Sequence, residues 1–167
     1  MDRLAELRST GPMNEHEIMK LLARRSFCTL ATASADGRAH VAGVLYAVDG
    51  TTLYVSTLRS SKKARNIAAN AEVSICIPVR RVPVGPPSSL QFAARAELLA
   101  NDDPEIGRLA ADGRLKAITG HGELDLPDGC IIRITPARRI TTYGLGMPLR
   151  RLLKDPLHAG GAVVLSA

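Results

Sequence analysis

The stretch Ser56-Thr57-Leu58-Arg59-Ser60-Ser61-Lys62-Lys63-Ala64-Arg65-Asn66-Ile67 reads as the end of a strand, a short polar turn and the start of a helix. Ser60 or Ser61 suits the N-cap, and Ala64, Ile67, Ala68 and Ala71 supply a narrow apolar stripe beyond it. The charge has the wrong sign for such a place. A helix start carries unpaired N–H groups and partial positive charge, which favour Asp or Glu. Here Arg59, Lys62, Lys63 and Arg65 crowd it, and no acid follows in sequence until Glu72. Each misplaced exposed cation costs about 0.3–1 kcal/mol. A bound anion removes the conflict, because N–H groups, hydroxyls and cations then converge on one phosphate. The turn is therefore a candidate phosphate site, with a solvated basic helix end as the plainer reading.

Upstream, Phe27 to Thr32 is β-branched and apolar, hence a strand, and Asp36-Gly37 is a hairpin turn signal. Ala39 to Val48 reads as the return strand, Asp49-Gly50 as a second turn, and Thr52 to Thr57 as a third strand. These three make an antiparallel meander that delivers the chain to the basic turn. Before them, Asn14 and Glu17 form a capping-box pattern ahead of Ile18, Leu21 and Leu22, predicting a helix from Glu15 to Arg25. Residues 1–13 read as an arm.

Downstream of a helix over Lys62 to Asn70, Val73 to Ile77 is a buried strand, Arg80 to Pro87 a proline-rich loop, and Leu90 to Leu99 an alternating strand. Asp103-Pro104-Glu105 opens a helix with the acids that the Lys62 helix lacks. Leu109, Ala110, Leu115 and Ile118 offer its apolar face, interrupted at Gly113. Cys130 to Ile134 and Arg139 to Tyr143 add strands, and the tail from Gly144 is rich in Gly, Pro and basic residues. The expected fold is mainly β with flanking helices, a closed or nearly closed antiparallel barrel over 14–143. Residues 144–167 form a tail packed on the barrel or on a partner.

With 167 residues the chain is long enough for one substantial core. Two Phe, three Tyr and no Trp leave little for base stacking. The net charge of +6 suits a phosphorylated ligand, but the arginine pairs 24-25, 80-81, 138-139 and 150-151 are scattered, which ranks nucleic acid low. Cys28, Cys76 and Cys130 show neither CxxC spacing nor a His-Cys cluster, so buried free thiols are expected, and neither a disulfide scaffold nor zinc. The polar, charged N-terminus is no signal peptide, and no apolar run approaches a membrane span, so the expected compartment is the cytoplasm.

The order of these pieces carries a resemblance. Leu30-Ala31-Thr32, Asp36-Gly37-Arg38-Ala39-His40, Leu53 to Thr57 and Ser61 to Ile67 follow a helix ending near Arg25. From about Glu15 to Ile134 the chain resembles the pyridoxamine 5'-phosphate oxidase-like family of flavin-binding split barrels. That resemblance implies a homodimer holding FMN, or alternatively the deazaflavin F420, at the subunit interface, and acting as an oxidoreductase on a small molecule. The family's Ser-Arg-Lys turn matches Ser61-Lys62-Lys63, which would grip the cofactor phosphate with Arg59 nearby. Its aromatic-Thr pair at the strand end matches Ser56-Thr57, with the aromatic lost. The strand lining the isoalloxazine matches roughly Ala42 to Ala47, with Val44 and Leu45 at its centre. A family glutamine matches Gln91 or, shifted by two residues, Ser89.

The chain also departs from the family pattern. Ala42 and Ala47 stand where pyridoxamine phosphate oxidases carry an Arg and a Lys, and the substrate-binding Arg and His near the family's C-terminus have no match. Vitamin B6 oxidation is therefore not the expected reaction. One basic pair needs a single phosphate, which favours FMN; a longer acidic tail such as that of F420 would employ the surplus arginines. A non-catalytic cofactor-binding or ligand-sensing barrel is the alternative, and a polyphosphate- or nucleic-acid-binding protein a third. Among the histidines, His40 is expected at a surface or dimer contact, and no nucleophile–base constellation or dinucleotide fingerprint is present.

Overall fold

Strand patterning dominates this chain, and in the computed structural model, which describes residues 12–79 and 86–166, it produces one nine-stranded sheet. The expected N-terminal arm up to residue 11, and residues 80–85 of the expected loop, lie outside the described residues. The sequence runs α1 (Glu15–Arg24), β1 (Phe27–Ala33), β2 (Ala39–Leu45), β3 (Ala47–Asp49) and β4 (Thr52–Leu58). It continues through α2 (Lys62–Ala69), β5 (Glu72–Val79), β6 (Ser88–Ala100), α3 (Pro104–Ala111), α4 (Lys116–Thr119), β7 (Gly129–Pro136) and β8 (Arg139–Tyr143). It closes with α5 (Leu149–Lys154) and β9 (Gly160–Val164).

All neighbouring strands pair antiparallel, in the order β2-β1-β5-β6-β7-β4-β3, with β8 beside β6 and β9 beside β8. The two ends of that order, β2 and β3, are covalent neighbours, so the sheet curls into a half-barrel. The expected single strand Ala39 to Val48 is broken at Tyr46. The backbone N–H of Tyr46 donates to the Ser26 carbonyl (2.8 Å) and its hydroxyl to the Leu22 carbonyl (2.9 Å). The N–H is thereby diverted from a ladder to the exit of α1, the hydroxyl anchors the side chain to the helix, and the strand changes partner there. Its first half pairs with β1 and its second with β4.

Period-2 alternation sorts the strands' residues between a core and an outer face. Cys28, Leu30, Ile75, Ile77, Leu90, Phe92, Ile132 and Ile134 fill the interior, which α1 closes with Ile18 and Leu22. The capping box at Asn14 and Glu17 forms as read from the sequence. On the other side of β4 and β7, Ile106 and Leu109 of α3 and Leu115 and Ile118 of α4 build a second cluster. There the Tyr54 hydroxyl donates to Glu105, whose carboxylate also receives Arg133, and Arg133 reaches Glu97 at 2.7 Å. The break at Gly113 falls where expected, with Gly113 at φ 71°.

The tail differs from its expected irregularity. Its last segment is a strand, β9, that extends the sheet through β8, and Leu152 of α5 is buried. The Gly160-Gly161 start weakens the strand signal in sequence, while its pairing with Thr142 and Tyr143 supplies the ladder. No helix among the described residues is long and apolar enough to cross a membrane.

Candidate functional site

β4 ends at Leu58, and the chain turns through Arg59 and Ser60 into α2. Of the two serines read as possible caps, Ser61 is the N-cap; its hydroxyl accepts from the Ala64 N–H at 3.3 Å. Thr57 and Ser61 present their hydroxyls 3.1 Å apart. In the first turn, the Arg65 N–H is taken by the Ser61 carbonyl, whereas those of Lys62 and Lys63 find no acceptor among the described residues. Nor does either lysine have an ion-pair partner among the described residues; Lys62 is exposed and Lys63 half-buried. Two hydroxyls, two free N–H groups and two unpaired ammonium groups on adjacent residues form a donor set suited to a phosphate.

The inner face of α2 is anchored by Ala64, Asn66 and Ile67 rather than by the expected all-apolar stripe; Ala68 is exposed. Asn66 is buried because its amide donates to the Thr32 hydroxyl of β1 at 3.0 Å. That bond ties the helix to the barrel, and an alanine-rich helix alone gains little from burial.

The apparent absence of an acid from the helix start is a feature of the linear sequence only. Asp128, in the loop before β7, receives both the backbone N–H (3.2 Å) and the hydroxyl (2.5 Å) of Ser60. Its own carbonyl accepts the Arg59 N–H at 2.8 Å. The hydrogen bonds from Ser60, aided by the Arg59 charge, hold the Asp128 carboxyl below the usual carboxylate range. Asp128 therefore occupies the Ser60 side of the turn and leaves the Ser61–Lys63 side open. No local sequence signal marks this residue, which acts across the β4–β7 pairing Leu58↔Gly129.

The remaining expected site residues divide between two places. Ser56 and Thr57 point to opposite faces of β4, so only Thr57 joins the turn. Val44 points into the core at 8% exposure, whereas Leu45 faces outward at 56%. Before Tyr46, β2 pairs with β1 and not with β4 yet stays in contact with β4, so the facing edges of the two strands lack ladder partners among the described residues. These edges lie beside Thr57. Ala42 is half-buried and Ala47 lies in the second core cluster, so no cation projects into this gap from either position.

Gln91 and Ser89 share the outer face of β6, and the Gln91 amide donates to the Ser89 hydroxyl at 3.0 Å. The two-residue ambiguity thus leaves the face unchanged. Gln91 sits in one row with Gly43, Thr29 and Cys76, three strands from β2. At about 4.8 Å per strand the row spans roughly 14 Å, so Gln91 does not reach the β2 strand of its own chain. It lines instead an open concavity of about 440 Å³ with Thr29, Ala31, Ser74, Cys76, Ala93 and Thr141. Phe27, Val41 and Leu45 rim this outer face, exposed by 46%, 61% and 56%. The Phe27 ring lies over Gly43, where a Cβ would meet its Cζ at 2.9 Å.

Two of the three cysteines are buried as expected; Cys76 instead lies half-buried on the outer face. Burial, with a smaller contribution from Cys76, pushes the Cys28 thiol up to about 12. A thiol so shielded is no nucleophile. Between pH 9 and 12 the unfolded chain releases the Cys28 proton while the folded chain keeps it. Stability is therefore full below that window and lost as pH rises through it, by about 1.4 kcal/mol per pH unit. Urea unfolding of wild type and Cys28→Ala across this range checks the difference in slope. His40 lies on β2 opposite Thr32, and His121 and His158 are exposed beside Glu123 and Asp155. Among the described residues no cluster of His, Cys, Asp and Glu could hold a metal ion.

Among curated proteins, none matches the chain in sequence. Several solved structures share its fold. HutZ, the heme storage protein of Vibrio cholerae, is 24% identical with a TM-score of 0.62, over 75% of this chain and 92% of that one. An F420 reductase is 25% identical with a TM-score of 0.54, over 71% and 91%. A FAD-binding protein of Mesorhizobium loti is 22% identical with a TM-score of 0.62, over 78% and 94%. The family model described as pyridoxamine 5'-phosphate oxidase matches residues 15–143, from α1 through the end of β8. The chain belongs to the pyridoxamine 5'-phosphate oxidase family.

Proposed function

We propose that this protein binds FMN as a homodimer and acts as a flavin-dependent oxidoreductase on a small molecule other than a vitamin B6 phosphate. The observation that carries the reading is the turn at Ser61. There the Thr57 and Ser61 hydroxyls, the N–H groups of Lys62 and Lys63 that find no acceptor among the described residues and the two lysine ammonium groups make up a donor set suited to one phosphate. The unpaired edges of β2 and β4 beside it offer backbone donors and acceptors to the amide-like rim of a flat ring, with Leu45 on the adjacent outward face. When bound, a flavin supplies hydride and electron chemistry. The chain's own residues hold the phosphate, shape the slot and order the ring against the strand edges.

What one copy lacks supports the homodimer reading. Gln91 and β2 do not converge within a protomer, being three strands apart in one row. The outer face of β1, β2, β5, β6 and β8 carries small residues around Thr29, Ala31, Ser74 and Ala93, an apolar rim at Phe27, Val41 and Leu45, and an exposed Arg95–Glu72 ion pair toward one end. Such a face is suited to a second copy, and a two-fold axis would bring one copy's Gln91 surface toward the other's β2 edge. Ala42 and Ala47 in place of the family's cations, and the tail folded as β9 against β8, argue against the family's founding substrate.

The visible absorption spectrum of the purified protein, before and after incubation with FMN, F420 and heme, tests the reading. A flavin spectrum with tight FMN uptake supports it. Preferential uptake of the deazaflavin moves the cofactor to F420, whose single phosphodiester suits the same turn, and a heme spectrum with no flavin uptake overturns it. Reduction of the bound FMN by a reduced nicotinamide separates an enzyme from a carrier.

A further inference from the structure

The loop that precedes β7 is built more tightly than a connection needs to be. Asn101, at the end of β6, donates through its amide to the carbonyls of Glu123 (3.3 Å) and Leu124 (2.9 Å). Gly129 is packed so closely that a Cβ would meet the Asn101 amide nitrogen at 2.5 Å and the carbonyls of Leu126 and Glu123 at 2.9 and 3.0 Å. Asp128 projects from this braced loop. It fixes two successive residues of the basic turn: Ser60 through its carboxylate and Arg59 through its carbonyl.

We infer that Asp128 is a positioning residue for the anion site. By clamping Ser60 it sets the entry angle of the chain into α2, so that the Ser61 and Thr57 hydroxyls and the Lys62 and Lys63 N–H groups face one point. The inference rests on the phosphate reading of that turn. Its logic is counter-intuitive, because a carboxylate beside a phosphate site repels the ligand. Geometry and charge therefore pull in opposite directions, and the two can be separated by substitution. Asp128→Asn keeps an oxygen that accepts from the Ser60 N–H and hydroxyl while removing the charge. Asp128→Ala removes both the clamp and the charge.

Fluorescence titration of the full-length apo-protein with FMN and with riboflavin, which lacks the phosphate, tests this. Asp128→Ala should weaken FMN about tenfold or more while changing riboflavin by less than about twofold. Asp128→Asn should bind FMN as tightly as wild type or more tightly, again with riboflavin unchanged. That rescue distinguishes a clamp from a charge effect, and the riboflavin comparison distinguishes both from general damage to the fold. Tighter FMN binding by Asp128→Ala overturns the positioning role and leaves only repulsion. Equal losses of FMN and riboflavin, or no loss of either, also overturn it while leaving the cofactor reading in place. A wild-type protein that takes up neither compound removes the cofactor reading and this role together.

Discussion

Replacing both Lys62 and Lys63 by alanine should raise the dissociation constant for FMN by roughly a hundredfold or more. A charge-assisted hydrogen bond contributes about 1.5–3 kcal/mol, and two such contacts together about 3 kcal/mol or more. The expectation is asymmetric between the two lysines. Lys63 is half-buried, close enough to the buried Cys130 for its charge to be felt there, and so is the better shielded from solvent. Lys62 is exposed, where water screens its charge. Lys63→Ala should account for the larger part of the loss. Riboflavin affinity should stay within about twofold, because the substitutions remove groups facing a phosphate only. The fold should hold or gain slightly, since two cations leave a helix start where they oppose the dipole. Calorimetric titration with both ligands, together with thermal unfolding of the apo-proteins, measures all of these. Unchanged FMN affinity in the double variant would sink the assignment of this turn to a phosphate.

The same turn shows what was legible in the sequence. Much that is local could be read: a serine cap at Ser60 or Ser61, the basic crowd after it, the capping box at Asn14, the breaks at Gly37, Gly50 and Gly113. These depend on residues a few positions apart, where one rule of geometry applies. What could not be read depended on residues brought together by strand pairing. Asp128 answers the missing acid across the β4–β7 ladder. The buried amide of Asn66 looks like a flaw in an apolar stripe until Thr32 is placed above it. Tyr46 splits an apparently continuous strand because its N–H is used by Ser26 and its hydroxyl by Leu22 of α1, which hydropathy does not record. Even so, the alternation along β6 put Gln91 and Ser89 on one face before any partner strand was known.

Leu45→Glu should dissociate the proposed dimer and take the cofactor with it. Leu45 is 56% exposed on the outward face of β2, opposite Phe27 of β1 and two residues from Gly43, on which the Phe27 ring rests. A charge there costs little in an isolated protomer, because the side chain is already in water. In a two-fold interface it enters twice, and each copy buries an unpaired carboxylate among Phe27 and Val41. At about 2 kcal/mol for the charge in each of the two copies, the dimer dissociation constant should rise roughly a thousandfold. FMN binding should fall in parallel, since the slot beside β2 loses the wall that the second copy provides. The correlation is the informative part. A variant that becomes monomeric yet keeps wild-type FMN affinity would place the whole binding site within one chain. Wild-type protein that sediments as a monomer at micromolar concentration while holding FMN would do the same, and the outer face would then need another explanation. Analytical ultracentrifugation with detection at the flavin absorbance reads mass and occupancy together. If the dimer forms the slot, the heavy species should carry the colour and the light species should lack it.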